Sequence, residues 1–133
     1  MNSKAVLSQA EVGQILAAAR AEAQANQWAV TIVVVDDGGH PLALERLDGC
    51  APASAYIATE KARTSALGRR ESKSYEDMVN AGRYAFLSAP LLTSLEGGVP
   101  IVFDGQVIGA IGVSGVKPEQ DAQVAKVGAQ CVK

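Results

Sequence analysis

From Val30 to Val35 the chain reads Val-Thr-Ile-Val-Val-Val, six β-branched residues that are stiff at χ1 and pack well on a pleated surface. Successive side chains of a strand point to opposite faces. A strand with valine or isoleucine on both parities therefore needs apolar cover on both sides, as a central strand has. That requirement excludes a sheet with one solvated face and calls for a helical layer on each side. The chain can supply those layers. Its 133 residues, 48% hydrophobic and 20% charged, suit a single domain over 1–133 that buries about two-thirds of its unfolded surface.

The flanking segments predict what those layers are. Ser8-Gln9-Ala10-Glu11 has the S-x-x-E form of a capping box. Val12, Ile15, Leu16, Ala19 and Ala23 then follow the helical period until about Asn26. Asp36-Asp37-Gly38-Gly39 turns the chain after the β-branched run. Leu42, Leu44 and Arg46 alternate with Ala43, Glu45 and Leu47, so a returning strand and a hairpin are expected. Ala58, Ala62 and Ala66 recur every fourth residue within Ser54–Leu67, a smooth helix face that admits another backbone closely. Ser74 to about Leu87 predicts one or two short helices, and Thr93–Pro100 a loop. Asp104-Gly105 joins Ile101–Phe103 to Gln106–Ser114 as a second hairpin. Pro118, Glu119 and Asp121 open a last helix, with Val124, Val127, Gly128 and Cys131 on its packed face. The expected architecture is an antiparallel sheet between helical layers, without repeats or linkers.

Charge and residue type remove several function classes. The net charge is −2 and no window concentrates Lys and Arg, so a nucleic-acid partner is not expected. His40 is the one histidine, which denies the chain a two-histidine metal triad of its own. Cys50 and Cys131 form no C-x-x-C pair and read as free thiols in a reducing compartment. No apolar run approaches the ~18 residues of a membrane span, and the first residues lack a signal-peptide core. A soluble, cytoplasmic protein is expected.

Candidate site residues each have a bland reading beside a chemical one. His40, after Gly38-Gly39, suits an iron ligand or an acid–base group, or is an exposed turn residue. Lys61, beside the Ala58/Ala62 face, suits a carboxylate or propionate anchor, or a solvated charge. Glu96-Gly97-Gly98 offers backbone donors to an anion, or simply turns. Asp121 shares a stripe with Val124 and Gly128, where a carboxylate caps backbone or faces a site. The glycine-rich Gly109–Gly115 has neither a Walker lysine nor G-x-G-x-x-G spacing. Its Ser114 lacks the second glycine of a nucleophile elbow, because Val116 stands there. Gly109, Ala110 and Gly112 instead clear room for a helix, a second subunit or a ligand. Arg46 and Ser114 complete the ligand-binding candidates.

Taken in order, Val33-Val34-Val35-Asp36-Asp37-Gly38-Gly39-His40, Leu44-Glu45-Arg46-Leu47-Asp48-Gly49, Lys61-Ala62, Gly97-Gly98-Val99-Pro100, Ile108 to Gly115 and Gln120-Asp121 resemble the GlcG/HbpS family of small haem-binding proteins. The same family occurs as the carboxy-terminal domain of PduO-type proteins, and the resemblance spans nearly the whole chain. It implies an α+β, profilin-like fold: a three-layer α/β/α arrangement with a five-stranded antiparallel sheet. It also implies homo-oligomers, from dimer to octamer, which the Ala58/Ala62/Ala66 and Gly109/Ala110/Gly112 surfaces would serve. The implied cofactor is haem, with His40 placed on the iron by residue type. An alternative implied function is an enzyme of glycolate or aromatic-compound catabolism acting on a small carboxylic acid or reactive intermediate. There His40 would move a proton and Lys61 would bind carboxylate or form an imine. A non-catalytic assembly module is the third reading.

Overall fold

The β-branched run becomes β1 (Thr31–Asp36), and the turn after it leads back into β2 (Pro41–Arg46). The computed structural model describes residues 1–133. β3 (Gly98–Phe103) and β4 (Gln106–Ser114) form the second hairpin. All pairings are antiparallel, and the order β2-β1-β4-β3 puts β1 and β4 in the centre.

The parity of β1 divides the core in two. Ile32 and Val34 point into a cluster with Ile111 and Val113 of β4, Ile15 of α1 (Gln9–Ala25) and Val124 of α4 (Pro118–Gln130). Val33 and Val35 point the other way, onto Ala58, Ala62 and Ala66 of α2 (Ala53–Gly68). All four of these β1 side chains are fully buried, each stabilising the fold by about 1.5–3 kcal/mol relative to exposure. Helices therefore cover both faces, giving an α+β domain with α3 (Lys73–Asn80) and a 3-10 turn at Tyr84–Ser88 between α2 and β3.

The alanine face and the glycine strand turn out to cover each other. A Cβ on Gly112 would stand 2.1 Å from the Ala58 carbonyl oxygen and 2.5 Å from the Ala62 nitrogen, so α2 lies directly against β4. At Gly109 a Cβ would meet Val35 carbonyl oxygen at 2.5 Å and Leu7 at 2.8 Å. Neither surface is available to a second subunit, which corrects the expectation that they drive self-association.

The five-stranded sheet implied by the resemblance is likewise corrected to four strands. Between α2 and β3 the chain forms α3, the 3-10 turn and the turns that join them as far as Ser88, then runs irregularly to Gly97, with no residue in a fifth strand. The loop expected over Thr93–Pro100 ends earlier, because Gly98, Val99 and Pro100 pair with Gly112, Ile111 and Ala110. Proline is tolerated there since β3 is an edge strand. On α4 the buried positions are Asp121, Ala122, Val124, Ala125 and Gly128, while Val127 and Cys131 are half-buried.

Candidate functional site

The hairpin turn between β1 and β2 is built around one carboxylate. Asp36 Oδ1 accepts from the backbone N–H groups of Gly38 at 2.9 Å and His40 at 3.0 Å. Gly39 takes the left-handed backbone, φ +81°, which lets the chain fold back so tightly. The His40 Nδ1 then lies 3.0 Å and 3.2 Å from the two Asp36 oxygens. Desolvation alone would raise the Asp36 pKa, but the His40 and Gly38 N–H groups and the His40 ring outweigh it and hold the carboxyl below the ordinary range. A carboxylate at Nδ1 stabilises the tautomer with its proton on that nitrogen, directing the Nε2 lone pair away from Asp36. The imidazole side chain is 78% exposed.

Three cations contact the turn itself rather than the ring, each already paired with a carboxylate: Arg63 with Glu60, and Lys4 and Arg69 with Asp37. Arg63 of α2 packs over Gly39, where a Cβ would come within 2.7 Å of its Cγ, and its Nε donates to the Leu91 carbonyl at 3.1 Å. Lys4 pairs with the Asp37 carboxylate, and Arg69 donates to the Asp37 carbonyl at 2.6 Å. Leu91 and Leu67 are exposed.

Lys61 belongs elsewhere. Its ammonium donates to Asp121 Oδ2 at 3.0 Å and to the Val113 carbonyl at 3.0 Å, with the two residues 4% and 2% exposed. Asp121 Oδ1 accepts from the Val116 N–H at 3.1 Å. The pair joins α2 to α4 past the end of β4. Burial pushes the Asp121 carboxyl above its ordinary range, and Lys61 opposes that shift. Gly97, at φ +134°, closes over the ammonium so tightly that a Cβ would stand 2.8 Å from Nζ. A solvated lysine and a lysine open to an outside anion are both replaced by an internal ion pair.

The remaining candidates scatter. The Gly98 N–H is taken by Ser72 Oγ at 2.8 Å, so it is not a free anion donor. Glu96 is half-buried, and burial raises its carboxyl. Ser114 is buried opposite Thr31, whose hydroxyl lies 2.7 Å from Ser54 Oγ. Of the sequence candidates only Arg46, exposed at the end of β2, lines any of the five cavities. No three His, Cys, Asp or Glu side chains converge as a metal site. Asp36 escaped the sequence reading as a functional group, although an aspartate four residues before the one histidine, across two glycines, was the available signal.

These features define an α+β fold, helices on both faces of a four-stranded antiparallel sheet, with a carboxylate-braced histidine presented at a hairpin turn. Residues 7–130 match the family described as Haem degrading protein HbpS-like, and the chain belongs to it. Protein GlcG of Escherichia coli (strain K12) is 66% identical over 114 residues, covering 86% of this chain and 85% of its own. The crystal structure of HbpS superposes with TM-score 0.90 at 25% identity, covering 100% of this chain and 94% of that one. The crystal structure of a PduOC:haem complex superposes with TM-score 0.87 at 26% identity, covering 97% and 96%. No helix is long and apolar enough to cross a membrane.

Proposed function

We propose that the protein binds haem at the β1–β2 turn, with His40 Nε2 as an iron ligand. The observation that carries this reading is the Asp36 carboxylate on His40 Nδ1, the arrangement that fixes the tautomer and orientation of a metal-binding imidazole. The donor chemistry fits: the imidazole Nε2 points outward, and Lys4, Arg63 and Arg69 around the turn, paired with Asp37 and Glu60, would have to exchange those carboxylates for propionates. Leu91, exposed and joined through its carbonyl to Arg63 over Gly39, offers apolar contact near the same turn. The haem complex of the structurally similar PduOC supports the cofactor assignment. Bound haem supplies redox chemistry at its iron. The chain's own part is to hold the Nδ1 proton through Asp36 and to present the ring at a turn flanked by cations. Because the imidazole stands in the open, a second copy covering the porphyrin belongs to this reading.

Hemin titration tests it. A saturable Soret change is expected in the parent protein, altered in position in His40→Ala and reached at about 10–100-fold higher hemin in Asp36→Asn. Absence of any saturable change in the parent ends the haem reading, whereas an identical spectrum in His40→Ala removes His40 from the iron.

A further inference from the structure

At the other end of β2, about 20 Å of extended strand from His40, the end of α1, the end of β2 and the chain after it line an open groove of about 450 Å³. That volume is within the range of small-molecule sites. Trp28, the one tryptophan, and Leu47 both pack on the core and form its apolar wall. Its polar groups are Arg20, Glu45, Arg46, Asp48, Gln24 and Gln27.

The charges in this cavity are not equivalent. Arg20 is held by both oxygens of Glu45, its Nη2 at 2.8 Å, so that pair is internally neutralised. Arg46 has no carboxylate within ion-pair distance. A guanidinium fork free at the rim of an indole-walled cavity matches a planar carboxylate. Asp48, on the same wall, repels a second anionic group and restricts the ligand to one negative charge. Gln27, in the left-handed region at φ +60° just after α1, also lines the groove.

We propose that this cavity binds planar aromatic monocarboxylates, the ring against Trp28 and Leu47 and the carboxylate on Arg46. It is a site separate from the His40 turn and independent of haem. The single indole N–H gives one resolved signal in ¹⁵N–¹H spectra, so titration can be followed at Trp28 itself. Benzoate should shift that signal saturably, and benzylamine, of the same ring but opposite charge, should not. Arg46→Gln should weaken benzoate binding at least about tenfold, as loss of a charge-assisted pair does, at unchanged melting temperature because Arg46 is exposed. Gln27→Gly should hold or raise the melting temperature and still weaken binding. His40→Ala should bind benzoate like the parent, so failure of the haem reading leaves this one standing. The proposal is overturned by no saturable shift with benzoate, by an equal shift with benzylamine, or by parental affinity in Arg46→Gln.

Discussion

Removal of the Lys61 ammonium would leave the Asp121 carboxyl buried without its cation, with only the Val116 N–H donating to it. Lys61→Met should therefore cost about 3–5 kcal/mol, the usual consequence of breaking a buried pair from one side. Replacing both partners, Lys61→Met with Asp121→Leu, should recover much of the loss, since desolvation of two charges goes with them. Urea unfolding measures both, and a single substitution costing under 1 kcal/mol would refute the internal-pair reading. Asp36 behaves oppositely. Its folded pKa lies below the ordinary value, so its contribution is fully present above about pH 4 and disappears as pH falls through the lowered pKa. The stability difference between parent and Asp36→Asn should shrink from pH 5 toward pH 2. A difference constant over that window would show that the turn hydrogen bonds do not depend on the charge. Both residues stood in the sequence as plausible turn or cap aspartates. What separated them was the identity of a partner, four residues away for Asp36 and sixty for Asp121.

At the scale of elements, α2 lacks a side-chain cap at Pro52 and draws its stability from contact with the sheet. Gly112→Ala tests that contact. The new methyl cannot fit between β4 and the Ala58 carbonyl, so α2 must move outward, at about 1–3 kcal/mol for overpacking or roughly 3–10 °C in melting temperature for a chain of this length. A melting temperature within 1 °C of the parent would refute so close an approach. Most element identities were legible because periodicity and turn chemistry are written in adjacent residues. The exceptions have physical causes. Gly97-Gly98-Val99-Pro100 carries loop composition, yet its last three residues are in β3 because the edge position spares Pro100 a hydrogen bond it cannot make. Val127 follows the helical stripe but ends half-buried, since α4 sinks Ala122 and Ala125 instead.

For the whole molecule, the surfaces that promised self-association are internal, and the exposed apolar groups lie elsewhere. Tyr84, Leu87 and Leu91 are 68%, 65% and 62% exposed, and Leu42 and Leu44 stand out on the edge strand β2. Any assembly should use these groups. Leu91→Glu, beside the His40 turn, is expected to lower the mass observed by light scattering with hemin while leaving the melting temperature unchanged. An undiminished mass would place the contact on another surface. Residue type and spacing alone establish that a fully apolar central strand must be covered twice, that hairpins flank two turns, that one imidazole is available and that no cysteine or histidine cluster can hold a metal. These follow from residue type and local spacing, which act within a few residues. Only the tertiary structure decided which surface covers which, because alanine and glycine faces are equally suited to a helix of the same chain or to another subunit. It also decided that Lys61 is internal and that Arg46 borders a cavity with Trp28. The reach of a charged side chain to a partner depends on packing between distant segments, and no local pattern encodes it.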